Sequence, residues 1–195
     1  MSALANIKVI ETKIPGMLIV EPKIIRDDRG FFTELYQANQ YAACGIGQRF
    51  VQDNFSHSVK GTLRGLHFQN PKPQGKLATV LRGSVLDVAV DVRIASPTFG
   101  QHVIVELNDE NRRQAWIPGG LAHGFIVTSD TADFLYKCDE FYSPAHEFVL
   151  RWNDPALHIN WGCDTPLVSA RDGDGRCLAD LTDALPRFEP SECVF

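Results

Sequence analysis

The chain is poor in the features that would tie it to a membrane, a disulfide scaffold or a nucleic acid. Its five cysteines (Cys44, Cys138, Cys163, Cys177 and Cys193) are odd in number, widely spaced and free of any CxxC pair. Neither a disulfide framework nor a thiolate zinc site is expected from them, and reduced thiols follow. No apolar run approaches membrane-spanning length, and the start from Met1 to Lys8 lacks a basic segment followed by an apolar core of signal-peptide length. A soluble, cytoplasmic protein with no membrane partner is therefore expected. Positive charge is not in excess either. A formal net charge of -5 disfavours nucleic acid as a partner, so any anionic ligand must meet a local basic pocket. No GxGxxG turn follows a strand, which leaves no expectation of a nicotinamide cofactor. Internal repeats, low-complexity segments and long linkers are absent, and helical periodicity is scarce.

What is present is a succession of short apolar, β-branched runs separated by turn residues. They are Met17 to Val20, Gly30 to Leu35, Leu77 to Leu81, Val85 to Val92, His102 to Leu107, Gln114 to Ile117, Gly124 to Val127 and Ala132 to Cys138. This rhythm favours an antiparallel sandwich or barrel over βαβ units. Val85 to Val92 is apolar except for Asp87 and Asp91, the pattern of a strand covered on both faces. Helices are expected only over Gln37 to Cys44, ended by Gly45, and over Leu178 to Leu185, ended by Pro186. The 195 residues suit one domain, 1–195, with N-terminal strands over about 1–20 and an irregular tail over 163–195 packing on a barrel. The architecture expected is all-β: a cupin-type double-stranded β-helix, or jelly roll, with short helices.

Two glycine-punctuated motifs carry histidines. Arg64-Gly65-Leu66-His67-Phe68-Gln69 sets a candidate base beside a candidate anion clamp, and Ile117 to Phe125 feeds His123 out of a Pro/Gly turn. Two histidines at strand edges suggest one shared pocket. Many jelly rolls bind a metal through a glycine, five residues and His-x-His, with a carboxylate further on and then a Pro-x-Gly-x-x-His turn. Here the last motif is matched by Pro118 to His123, but Gln69 stands where a second histidine would fall and Lys76 where the carboxylate would. An ammonium group repels a divalent ion, so no metal is expected. A lysine held in a pocket can instead stabilise an oxyanion electrostatically, as a Lewis acid would.

An ordered series of motifs runs through nearly the whole chain. It includes Asp28 to Glu34, Val51 to Asn54, Leu63 to Gln69, Gln74 to Leu77, Asp87 to Arg93, Ser96 to Gly100, Pro118 to Phe125, Phe134 to Lys137, Tyr142 to Pro144, Trp152 to Pro155 and Leu167 to Asp172. In these motifs the chain resembles the dTDP-4-dehydrorhamnose 3,5-epimerases, also called dTDP-4-keto-6-deoxy-D-glucose 3,5-epimerases. The resemblance implies a homodimeric, cofactor-free cupin acting on a dTDP-linked 4-keto-6-deoxyhexose. It makes His67 the base, Asp172 the carboxylate that orients it, Tyr136 the acid on the opposite face and Lys76 the group that stabilises the enolate oxygen.

The same resemblance puts Arg29, Phe32, Glu34, Gln52, Asn54, Arg64, His123, Tyr142, Glu147 and Arg171 at substrate-contacting positions. Arg64 and Arg29 are candidate phosphate ligands, because guanidinium groups pair bidentately with phosphate oxygens. Tyr142 corresponds to the tyrosine that stacks on thymine, and Phe32 to an aromatic residue reaching in from a partner subunit. Arg171 departs from the lysine many relatives carry, and Phe141 from a tyrosine, the latter expected to affect packing only. The N-terminal strands, Ile7 to Ile14 and Met17 to Val20, are expected to pair with the other subunit.

Taken one at a time, each of these residues has a plainer reading. His67 could be a hydrogen-bonded structural histidine, Asp172 a loop-capping aspartate ahead of Gly173, Tyr136 a core tyrosine, Lys76 a solvated strand lysine and His123 a satisfied turn histidine. The chemistry nevertheless asks for such a set. A C4 ketone acidifies the hydrogens at C3 and C5, and inversion needs removal on one face and delivery on the other. An epimerase of a single centre and a non-catalytic sugar-nucleotide-binding cupin remain alternatives; a metal-dependent cupin enzyme is opposed by Gln69 and Lys76.

Overall fold

A computed structural model describes residues 6–189. Thirteen strands and two short α-helices follow one another as β1 (Ile7–Glu11), β2 (Leu18–Pro22), β3 (Ile24–Asp27), β4 (Gly30–Thr33), α1 (Ala38–Ala42), β5 (Gln52–Val59), β6 (Leu63–Gln69), β7 (Lys76–Arg82), β8 (Ser84–Asp91), β9 (His102–Asn108), β10 (Gln114–Ile117), β11 (Leu121–Val127), β12 (Thr131–Cys138), β13 (Glu147–Val149) and α2 (Ala170–Gly173). A six-stranded sheet has the order β1-β2-β10-β7-β12-β5, a five-stranded sheet the order β13-β6-β11-β8-β9, and β3 and β4 form a separate hairpin. Every pairing between these strands is antiparallel. The all-β, cupin-type jelly roll expected from the strand rhythm is the architecture observed.

Strand alternation sorts the side chains into three apolar layers. Between the sheets, Ala78, Val80, Phe134 and Ile117 of one meet Val85, Ala89, Leu121, Phe125 and Leu107 of the other. Behind the five-stranded sheet, Val88, Val90, Leu66 and Ile126 pack against Trp161, Leu181 and Leu185 of the C-terminal tail. Behind the six-stranded sheet, Leu77, Trp116 and Val20 lie under Tyr41 and Ile46, contributed by α1 and the turn after it. β8 thus feeds two cores from its two faces, which is why its sequence is nearly apolar throughout.

Three local expectations are corrected. Leu178 to Leu185 is not an α-helix: only Leu178–Asp180 forms a 3₁₀ turn, and the following turns close with i to i+3 bonds at Leu181 and Ala184. Burying Leu181, Ala184 and Leu185 in the tail core outweighs the helical pattern. The run from Gly30 stops at Thr33 because its partner, β3, is itself only four residues long. β2 is held on both edges by β1 and β10 of its own chain, so of these two N-terminal strands it is β1 that has an edge unpaired among the described residues. Residues 190–195, with Cys193 among them, lie outside the described residues; the four described cysteines are all free thiols.

Candidate active site

His67 on β6 and His123 on β11 are direct register partners, so their side chains leave the five-stranded sheet on the same face, toward the space between the sheets. The strands come close because Gly65 and Gly124 face each other. A Cβ on Gly65 would lie 2.6 Å from Gly124 Cα, and Gly65 has a φ of +113°, which favours glycine. The opposite wall is built by the six-stranded sheet, where Tyr136 lies between Ala78 and Asn54 in the ladder and Lys76 opens β7. Together they enclose a cavity of about 360 Å³ lined by His67, His123, Tyr136, Lys76, Arg64, Asp172 and Arg171, among others. A shallower continuation, reached past Asn54 and Arg171, is lined by Gln52, Tyr142 and Glu147.

His67 Nε2 is 2.6 Å from Asp172 Oδ1. Asp172 comes from α2, where Ser169 caps the helix by accepting the Asp172 backbone N–H at 3.1 Å. The plainer reading of Asp172 as a loop cap is therefore corrected: Ser169 does the capping and frees the carboxylate to meet His67 and the Gly65 N–H. Burial works to raise the Asp172 pKa, but the hydrogen bond and charge of His67, with the Gly65 N–H, hold it below its ordinary value. Occupation of Nε2 leaves Nδ1 as the free ring nitrogen, 3.8 Å from Glu147 Oε1.

Lys76 is 7% exposed, not a solvated strand lysine. Its Nζ donates to the His67 carbonyl across the cavity at 3.4 Å. Burial pulls its pKa down, opposed by the neighbouring Cys138 and by the carboxylates of Asp87 and Asp139. Burial likewise pushes the Tyr136 phenol up to about 12, so it carries its proton throughout the neutral range. His123 Nε2 is 2.8 Å from Asp87 Oδ2, giving the cavity a second histidine–aspartate pair.

The rim is polar. Arg64 donates from Nε and a terminal nitrogen to Ser58 Oγ at 3.2 and 3.1 Å. Glu147 Oε2 accepts the Tyr142 hydroxyl at 2.8 Å and pairs with Arg171. Gln52 holds the Tyr142 backbone N–H at 3.0 Å and donates to Asn54, which in turn donates to Cys138 Sγ. Gln69, which stands where a metal ligand would, accepts the Ser143 N–H and donates to the Lys72 and Phe141 carbonyls, bracing the rim. Among the described residues no group of three or more His, Cys, Asp or Glu side chains converges as a metal site.

Three residues expected at the substrate are not brought to this cavity within one chain. Arg29, on the β3–β4 turn, is 90% exposed and paired with Asp27; Phe32 is 68% exposed; Glu34 accepts from Gln40 Nε2. Phe141 is also exposed, so its exchange for tyrosine is not a matter of core packing. Asp87, Ser169, Phe55 and Ser56 were not singled out by sequence reasoning. The one signal available was Asp87 itself, one of two carboxylates, with Asp91, inside an otherwise apolar run from Val85 to Val92.

A sequence model of the dTDP-4-dehydrorhamnose 3,5-epimerase family matches residues 11–180. The chain belongs to that family. The epimerase is 50% identical over 181 residues to the dTDP-4-dehydrorhamnose 3,5-epimerase of Pseudomonas aeruginosa, covering 92% of this chain and 99% of that one. Among solved structures it is similar to dTDP-6-deoxy-D-glucose-3,5-epimerase from Legionella pneumophila in complex with dTDP-4-keto-L-rhamnose. The TM-score is 0.91 at 50% identity, over 94% of this chain and 99% of that chain. It is also 40% identical over 185 residues to a dTDP-4-dehydrorhamnose 3-epimerase of Streptomyces niveus, covering 93% of this chain and 89% of the other.

Proposed function

We propose that this epimerase converts dTDP-4-dehydro-6-deoxy-D-glucose to dTDP-4-dehydro-L-rhamnose by inverting C3 and C5, with His67 and Tyr136 as the two proton-transfer groups. The observation that carries this assignment is that they project from different sheets into one cavity, so a ring between them meets a base on one face and an acid on the other. His67 Nδ1 takes the C3 or C5 proton, and the C–H electrons move into the C4 carbonyl to form an enolate. Lys76 places its ammonium at that oxygen, from a buried position where one charge counts for more than in water. Return of the electrons to carbon takes a proton from the Tyr136 hydroxyl on the far face, inverting the centre. An enolate carbon is a stronger base than a phenolate, so a phenol pKa of about 12 does not obstruct this transfer. Asp172 keeps the His67 proton on Nε2 and Nδ1 free.

The nucleotide half takes the shallower continuation: Tyr142 offers a ring for thymine, while Gln52, Asn54, Glu147 and Arg171 set the rim and Arg64 meets phosphate. His123 contacts the sugar. We read 1–195 as one domain, since the tail through Leu185 shares a core with the five-stranded sheet. No described helix is long and apolar enough to cross a membrane, and we place the enzyme in the cytoplasm. A homodimer is the further reading. The exposed Arg29, Phe31 and Phe32 sit on a hairpin outside the chain's own cavity, available to complete a neighbour's site. Light scattering is expected to give a dimer mass at micromolar concentration; a monomer mass sinks that reading.

Proton NMR of the product formed from the 4-keto sugar nucleotide tests the reaction. Inversion at both centres is expected, and inversion at C3 alone establishes the second reading, which the likeness to the Streptomyces niveus 3-epimerase favours. Tyr136→Phe tests the division of labour. Solvent deuterium is expected to enter recovered, uninverted substrate while product falls steeply. Equal loss of exchange and inversion would place Tyr136 before or during enolate formation.

A further inference from the structure

The two buried acids of β8 have opposite surroundings. Asp91 is saturated: Oδ1 accepts the Arg93 backbone N–H and Nε, and Oδ2 accepts the Arg93 guanidinium, Ser96 Oγ and Thr98 Oγ1. It is a structural ion pair. Asp87, four residues earlier, is 0% exposed, yet among the described residues only its Oδ2 has a partner, His123 Nε2, and Oδ1 has none. A fully buried carboxylate with one donor is expensive for the fold, and packing alone gives no return for it. Phe125 is the register partner of Asp87 and Ala89 that of His123, so the two side chains are same-face diagonal neighbours, with Asp87 beneath the cavity floor and His123 on its surface.

We propose that Asp87 is a positioning residue of the epimerisation. It grips the His123 ring by Nε2 so that Nδ1 is the nitrogen offered to the sugar, and its carboxylate is among the groups that favour the ammonium form of Lys76. The inference rests on the roles given to His123 and Lys76 above. A ring held this way cannot flip without leaving Asp87 unpaired, which makes the position of the contact a property of the folded protein. The charged and titratable groups around Lys76 are Cys138 on β12, Asp139 just beyond it, and Asp87 on β8; His67, Tyr136 and Arg64 line the same cavity. Of these, Cys138, Asp87 and Asp139 favour the ammonium form against burial. Removing Asp87 therefore lets Lys76 lose its proton at lower pH. Activity that needs the ammonium is lost as pH rises through that point, so the alkaline limb of the rate profile moves toward neutrality.

Asp87→Asn keeps shape and removes the charge. In that variant kcat is expected to fall by about 10–100-fold with KM little changed, and the alkaline limb to move to lower pH. In a His123→Asn background the same change should cost little further kcat while still moving the limb, because Lys76 remains. A folded Asp87→Asn enzyme with kcat within about threefold of wild type and an unmoved limb overturns the proposal, as does a loss confined to KM. Imidazole nitrogen NMR of the wild-type protein reads the contact without any variant that might misfold. A proton held on His123 Nε2 is expected; a bare Nε2 with the proton on Nδ1 overturns the grip. Failure of the wild-type enzyme to epimerise the sugar nucleotide would instead count against the proposed reaction, and the NMR experiment, which uses no substrate, separates the two.

Discussion

Two histidines stand side by side on β6 and β11, and each leans on an aspartate through Nε2, but the pairs differ in where the aspartate comes from and what else it touches. Asp172 arrives from the tail, 105 residues along the chain from His67, accepts the Gly65 N–H as well, and sits in a pair whose histidine is 27% exposed. Asp87 comes from the adjacent strand, is sealed from solvent and, among the described residues, accepts from His123 alone. A carboxylate with backbone support does not depend on its histidine for solvation, so His67 can gain and lose a proton within a stable frame. One without that support ties its histidine down. The same pair of residue types thus serves proton transfer in one place and fixed placement in the other, and the surrounding donors make the difference.

The largest effect should come from the mobile-proton side of this contrast. His67→Asn is expected to lower both deuterium wash-in and epimer formation together by ~10²–10⁴-fold. Wash-in persisting near the wild-type rate would show that another group, with His123 the first candidate, removes the proton. Asp172→Asn should be milder, about 10–100-fold in kcat, since Nδ1 survives but its tautomer is no longer enforced. It also carries a stability signature. The folded pKa of Asp172 is depressed, so its contribution is present above the unfolded carboxylate range and is lost as pH falls through the folded value. Acid unfolding followed by circular dichroism should accordingly be less steeply pH-dependent in Asp172→Asn than in wild type.

Gly65→Ala would disturb both pairs at once, because its Cβ would meet Gly124 Cα and the His123 carbonyl at 2.6 Å at a backbone φ of +113°. A loss of about 2–4 kcal/mol in urea unfolding is expected. A near-neutral result would mean that the two histidine strands do not depend on this close approach. The smallest effect belongs to Ser169→Ala, which removes the cap of α2 and not the carboxylate on it. About 1 kcal/mol of stability should go, with the His67 chemistry dulled only as far as Asp172 wanders.

Much of this was legible in the chain itself. Alternation and turn residues define most of the strands, because period-two burial leaves its mark on every face of a sheet, and the apolar run from Val85 to Val92 announces a strand buried on both sides. The ordered motifs carried the family and named His67, Tyr136, Lys76 and Asp172. Three-dimensional packing decided the rest. Leu178 to Leu185 has helical spacing yet stays in 3₁₀ turns, since its leucines answer to a core assembled from distant strands. For Asp172, which taken alone reads as a loop cap, the fold supplied the contact itself: its carboxylate lies 2.6 Å from His67 Nε2 while Ser169 does the capping. Arg29 and Phe32, expected at the substrate, are exposed on the β3–β4 hairpin and do not line their own chain's cavity. Asp87 and Asp91 are alike in sequence, each an acid among valines, and only the donors that the folded chain gathers around them divide a satisfied structural carboxylate from an unsatisfied one. Local pattern fixes which way a side chain points, but what it meets there depends on chain segments that no local pattern contains.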